Sequence, residues 1–306
     1  MRNEAARVPG DTPPASGLPA ALTAYVIWGL LPLYLILVAS VPPFEFVAWR
    51  IVWTLPVCAA IVTVRGQWPS IRSALADTAS LKVLLASAVL IAINWFVYVW
   101  AIQTAHVYAA SLGYYINPLL NVLLGTLLLG ERLSRLQWLA VALAAVGVAI
   151  LAAGAITTLW ISLTLAFSFG TYGLLRKRVE VGALPGLTIE SALLLLPAAG
   201  IAAWYGAQPQ GSAFAVSVPL SLAIMLGGVL TAVPLLLFAI AARRMAYSTL
   251  GFIQFLAPTI VFILGLTVFH EPLKPAQAAC FGLIWTALAL FVWDLWSRSR
   301  VRPAAN

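Results

Sequence analysis

Charge is scarce in this chain: of 306 residues only 8% are Asp, Glu, Lys or Arg. A soluble domain carries about a quarter charged residues, so a soluble enzyme, a disordered chain and a nucleic-acid-binding domain are all excluded. Cysteine is nearly absent. Cys58 and Cys280 both lie inside apolar runs, where they read as small buried residues with neither a disulfide framework nor zinc spacing. The two histidines, His106 and His270, fall in separate loops and make no metal-ligand pattern. No Walker loop, Gly-x-Ser-x-Gly elbow, His-Glu-x-x-His pair or dinucleotide fingerprint occurs, so ATP-driven transport and familiar hydrolytic chemistry lack support and no cofactor is expected.

What is present is apolar sequence, 63% of residues with a mean hydropathy of +1.01. A helix needs about 20 mostly apolar residues to cross a bilayer, and ten such runs occur. They are 18–39, 43–64, 81–104, 107–129, 137–156, 159–175, 187–204, 218–241, 246–269 and 276–296. A transmembrane barrel would alternate apolar and polar residues over about ten positions, so an all-α bundle follows. Residues 1–17 lack the apolar core of a secretory signal and read as a disordered cytoplasmic tail, and 298–306 as a C-terminal one.

The formal net charge of +8 is a statement about orientation. Placed on the alternating sides that ten spans require, all of the 17 Lys and Arg except Lys274 and Arg50 fall on one side. By the positive-inside rule that side is the cytoplasm, and it holds both termini.

The fourth and ninth spans repeat one another. Ser111-Leu112-Gly113, Pro118, Glu131 and Gln137 are echoed by Thr249-Leu250-Gly251, Pro258, Glu271 and Gln277, with identical Pro-to-Glu and Glu-to-Gln spacing. The chain divides into a first repeat, 18–156, and a second, 157–297. Five spans per copy force the second to enter the membrane from the opposite side, so the repeats are inverted. Inverted repeats around a midplane site are a transporter architecture, although duplication also occurs in membrane enzymes and lipid-handling proteins.

Further stretches carry a family resemblance: Ala24-Tyr25-Val26-Ile27-Trp28-Gly29, Ala48-Trp49-Arg50, Asn94-Trp95, Ser111 through Pro118, Gly130-Glu131-Arg132, Gln137-Trp138-Leu139-Ala140 and Ser248 through Phe252 with Gln254 and Pro258. Over nearly its whole length the sequence resembles the RarD branch of the EamA family in the drug/metabolite transporter superfamily. That resemblance implies a ten-helix carrier of the bacterial inner membrane, exporting or exchanging small molecules without ATP. The family pattern often has His where this chain has Trp49, which leaves any proton role of that His without a bearer here.

Arg50 is the sharpest candidate for function, because a guanidinium inside a span is costly and marks either a substrate path or an ion pair. Its alternatives are a substrate anion, a pair with Glu45, or snorkelling to the outer interface. Trp28, Asn94, Tyr114, Tyr115, Asn117 and Gln254 are expected to line the cavity beside it, with Trp95, Asn121, Tyr172 and Thr231 in the same constellation. Interhelical hydrogen bonding is the competing role for the amides. Pro118 and Pro258 are read as gating points. Glu190 reads as an interfacial residue within reach of Arg176, Lys177 and Arg178, with a proton-carrying carboxylate as the alternative. Glu131 and Glu271 are positioned to cap the helices that follow them.

Together these readings describe a secondary transporter of small metabolites or drugs, and not an enzyme. Its partners are a small-molecule substrate and the lipid bilayer, with no nucleic acid; proton coupling stays open, as does the choice between monomer and homodimer. A non-transporting scaffold would instead have a packed bundle with no polar cavity, and an integral-membrane enzyme would have paired acids or a nucleophile and base at one depth, which the sequence does not display.

Overall fold

The computed structural model describes residues 16 to 301 apart from Glu271, with no side chains beyond residue 298. The expected N-terminal tail, Glu271 and the last five residues therefore lie outside the described residues. Twelve α-helices follow in order: α1 Leu18–Leu35, α2 Pro43–Val64, α3 Trp68–Ala76, α4 Thr78–Gln103, α5 Val107–Leu129, α6 Arg135–Ala152, α7 Leu159–Arg178, α8 Ala183–Gly206, α9 Val218–Arg244, α10 Tyr247–Gln254, α11 Leu256–Thr267 and α12 Pro275–Val301. The last continues into the segment expected to be a tail.

Local chemistry sets the helix ends. Asp77 caps α4 by accepting from Ala79 N and Ser80 N, and Ser217 Oγ accepts from Leu220 N at the start of α9. Gly130, at φ 68°, closes α5 in the left-handed region that favours glycine. Ser134 and Gln137 form a full capping box on α6. The second repeat retains half of it: Gln277 Oε1 accepts from Lys274 N, but Lys274 has no hydroxyl to return the bond.

Among the described residues nine helical runs are long and apolar enough to cross a membrane. One of them, Arg135–Arg178, has 44 residues and would reach about 66 Å, more than twice a hydrocarbon core of about 30 Å. It is broken by a short 3₁₀ segment at 153–158, where Ala155 leaves helical geometry. Contacts with α5 show that the chain reverses there. Tyr108, at the start of α5, donates to Leu151 O near the end of α6, so α6 runs against α5. Ala109 accepts from Ser162 and Asn117 Nδ2 donates to Ala166 O, so α7 runs with α5. Divided there, the nine runs give ten span-length segments among the described residues, with α10 and α11 together forming one of them.

The ninth span is broken, unlike the fourth. Pro258 has no N–H to give to the carbonyl one turn back, and the helix interrupts at Phe255 before α11 resumes. Its counterpart Pro118 lies inside a continuous α5. The short α3 was not anticipated. It lies between spans two and three and buries Ile71 and Ala74, three residues apart on one face.

The helix pairs with the most extensive contacts, among them α6 with α12, α5 with α7, α2 with α8 and α1 with α9, each take one member from either side of residue 157. Where the repeated segments meet they are antiparallel: Gly251 lies on Pro118 and Asn121, and Ser248 lies on Gly125. A Cβ on Gly251 would sit 2.7 Å from the Pro118 carbonyl, so only glycine allows this approach. Cys58 and Cys280 are both free and buried, as their apolar settings require.

Candidate functional site

Five helices converge on Arg50. From α2, the guanidinium extends between aromatic faces, with its central carbon 5.5 Å from the Phe46 ring and 5.8 Å from the Trp95 ring of α4. Its Nε donates to Thr231 Oγ1 of α9 at 2.9 Å. Thr231 in turn donates to Gly227 O, which fixes the direction of its acceptor. Tyr34 of α1, Tyr98 of α4 and Tyr114 of α5 lie within electrostatic reach. Tyr98 and Tyr114 meet edge to face with centroids 5.8 Å apart.

Arg50 has no counter-ion. Among the described residues no carboxylate comes within salt-bridge distance of it. The alternative of a pair with Glu45 is not what forms. Glu45 Oε1 accepts from Trp49 Nε1 at 3.2 Å, Ser212 Oγ at 2.5 Å and Ala213 N at 2.9 Å, tying the start of α2 to the loop before α9. Trp49 also stacks on Phe214, with centroids 4.4 Å apart. The guanidinium Nη groups have no protein acceptor among the described residues. Tyr114 leaves 48% of its surface accessible. Beyond Trp95 and Thr54 a small cavity of about 10 Å³, room for about one water, lies beside Glu190.

The other predicted lining residues are placed differently. Asn94 Nδ2 donates to Leu165 O and Ser168 Oγ, Asn117 Nδ2 to Ala166 O, and Asn121 Nδ2 to Gln254 Oε1 at 2.7 Å. These donors join helix to helix and do not turn toward Arg50. Trp28 packs in an aromatic group with Tyr25, Phe169 and Phe238. Tyr115 points to the other face of α5 and meets Phe281 edge to face. Phe46, Tyr34 and Tyr98 were missed by the sequence reasoning. The first and last were findable, since Phe46 precedes Arg50 by four residues and Tyr98 follows Trp95 by three, spacings that share a helix face.

A second ionic group lies deeper. Glu190 and Arg176 are 2% and 0% exposed, and Glu190 Oε1 lies 3.6 Å from Arg176 Nη1. The carboxylate also accepts from Ser87 Oγ, and from Tyr172 OH at 3.4 Å. The interfacial reading of Glu190 is thus corrected. Helix α8 starts at Ala183, earlier than hydropathy implied, which sets Glu190 two turns into the helix.

The basic end of the bundle is laced together. Lys177 donates to Ala242 O and Met245 O, Arg243 to Val179 O and Val181 O, and Arg178 to Leu128 O. Glu131 accepts from Tyr247 N at 2.6 Å and Ser248 N at 2.8 Å. It therefore caps α10, not the following helix, which has its own capping box. Of Trp100, Trp160, Trp204 and Trp296, which sequence position makes candidates for an interfacial belt, the last three are exposed, whereas Trp100 is partly covered, stacked on His106 and against Trp160.

Residues 15–153 match the model of the EamA-like transporter family, a class of membrane transporter in the drug/metabolite superfamily. The Protein RarD of Streptomyces exfoliatus is 42% identical over 95% of this chain and 94% of its own length. That of Escherichia coli is 41% identical over 91% and 94%. An uncharacterized transporter of Pseudomonas aeruginosa is 44% identical over 94% and 96%. The chain belongs to the RarD proteins of the EamA family, in a bacterial multi-span membrane setting. One solved crystal structure superposes with a TM-score of 0.72 at 21% identity, covering 94% of this chain and 99% of that one, and shows the fold alone.

Proposed function

We propose that the protein is a secondary transporter that moves small metabolites or drugs by alternating access, without ATP and without catalysis, as an exporter or exchanger. The two inverted repeats exchange roles about the helices that meet at Arg50. Both termini face the cytoplasm, which puts the laced basic end on that side. Pro118 and Pro258 act as gating points on the crossed α5 and α10–α11, where one span is continuous and its counterpart broken.

The observation that carries this reading is Arg50 itself: a half-buried guanidinium with one hydrogen bond to the protein and no counter-ion, at the junction of five helices. In a membrane interior an uncompensated charge persists where a ligand or water answers it. Asn94, Asn117 and Gln254 serve this site by holding α4, α5 and α10 in register with α7 and with one another.

Proteoliposomes loaded with a bacterial small-molecule extract test the proposal. Mass spectrometry should find a set of solutes that leave only when the protein is present, in the absence of ATP. The Arg50→Gln variant should retain its fold and lose that efflux. Protein-dependent efflux of nothing, under gradients of either direction, overturns the reading, and so does unchanged efflux by the variant.

A further inference from the structure

We infer that the site around Arg50 selects organic monoanions: solutes with one carboxylate on a flat apolar body, in preference to their zwitterionic, neutral, cationic and dianionic analogues. This rests on Arg50 being part of the substrate site.

The carboxylate follows from the free edge of the guanidinium. With Nε held by Thr231, the two Nη groups present the planar fork that pairs with both oxygens of a carboxylate. A single negative charge follows from counting cations. Arg176 is occupied by Glu190, while Lys177 and Arg243 are bonded to backbone carbonyls at the basic end. A dianionic phosphate monoester would bring a second charge with nothing to answer it.

The rejection of ammonium groups follows from the acids. Glu45 is buried and already accepts three donors, all on Oε1, and Glu190 faces Arg176, Ser87 and Tyr172. Neither of these two carboxylates is exposed to receive the ammonium of an amino acid. The aromatic faces that could attract a cation, those of Phe46 and Trp95, already lie against Arg50, whose own charge repels a second one. The flat apolar body follows from Tyr98 and Tyr114 near Arg50, whose edge-to-face pair leaves part of the Tyr114 ring uncovered.

Five probes with one ring and different heads separate these claims: 3-phenylpropanoate, phenylalanine, 3-phenylpropanamide, 3-phenylpropylammonium and 2-phenylethyl phosphate. Binding is measured by calorimetry on the full-length protein in nanodiscs, and each probe is also tested as a competitor of extract efflux. Phenylpropanoate should bind at least tenfold tighter than each of the other four. Arg50→Gln should abolish that preference, and Arg50→Lys, which keeps the charge without the planar fork, should weaken binding while retaining the ranking. Unfolding temperatures of both variants check that the fold is intact. Equal binding of the amide or of phenylalanine, tighter binding of the phosphate, or a ranking that survives Arg50→Gln would overturn the inference. If efflux depends on Arg50 but phenylpropanoate fails to compete, the selectivity falls and the transport site stands. If efflux ignores Arg50, both fall.

Discussion

Glu131 and Tyr247 are 116 positions apart in sequence, yet the carboxylate of one receives the backbone N–H of the other at 2.6 Å. With Ser248 N on its second oxygen, Glu131 places a negative charge on the first turn of α10, where the helix dipole is positive. One repeat thus caps the broken span of the other. Replacing Glu131 by Gln keeps one acceptor oxygen and turns an NH₂ toward the second N–H. We predict faster hydrogen exchange at Tyr247 and Ser248 and a stability loss of about 1–2 kcal/mol. The start of α6, held by Ser134 and Gln137, should keep its protection. Loss of protection at α6 with α10 unchanged would refute the assignment.

The buried pair supplies a prediction of larger size. Arg176 is enclosed by α7 and α8, and its guanidinium lies so close to Gly186 that no Cβ could be added there. Removing Glu190 leaves this charge uncompensated, so Glu190→Gln should cost about 3–5 kcal/mol. In the Arg176→Gln/Glu190→Gln double variant the stranded charge is gone, and stability should recover well above the sum of the single losses. Unfolding in detergent, read as a double-mutant cycle, measures the coupling. Additive losses would mean that the two groups do not depend on each other.

Gly251 and Gly282 provide a matched comparison of helical glycines. A Cβ on Gly251 would press on the Pro118 carbonyl, which is backbone and cannot turn away, whereas nothing lies within 4 Å of a Cβ on Gly282. Gly251→Ala should therefore destabilise by about 1–3 kcal/mol through overpacking. Gly282→Ala should be neutral, or stabilising by up to about 1 kcal/mol, because alanine is the better helix former. Thermal unfolding of the two variants decides this, and equal effects would count against the close α5–α10 crossing.

Most of the architecture is readable before any coordinates, because a run of about 20 apolar residues has few fates besides a spanning helix. The inverted repeat is readable for a similar reason, since Glu131 and Glu271 follow their prolines at one spacing. Backbone breaks are harder to see. Hydropathy stays high across Phe255, so only Pro258 hints that the ninth span is interrupted there. Partners are harder still. An Asn in a span can face a chamber or another helix with equal sequence logic, and only the proximity of α7 to α4 and α5 decides that Asn94 and Asn117 bond to Leu165 and Ala166 carbonyls. Arg50 could be located from sequence because a lone charge in an apolar run is conspicuous, whereas its freedom from Glu45 depends on a loop more than 150 residues away.

Thr231 offers a way to test Arg50 without removing its charge. The hydroxyl accepts from Arg50 Nε and fixes the plane of the guanidinium, and no contact in the structure gives it a wider role than that and its bond to Gly227 O. Thr231→Val keeps the shape and deletes the acceptor. The guanidinium then loses one hydrogen bond, worth about 0.5–1.5 kcal/mol, and becomes free to rotate. We predict that half-saturation for phenylpropanoate rises three- to tenfold while the maximal flux changes little, since positioning the fork affects binding more than the rocking of the repeats. Thr231→Ser restores the acceptor and should restore the affinity. A fall in maximal flux with unchanged half-saturation, or failure of the Ser variant to rescue, would place Thr231 in the moving parts of the bundle rather than at the binding site.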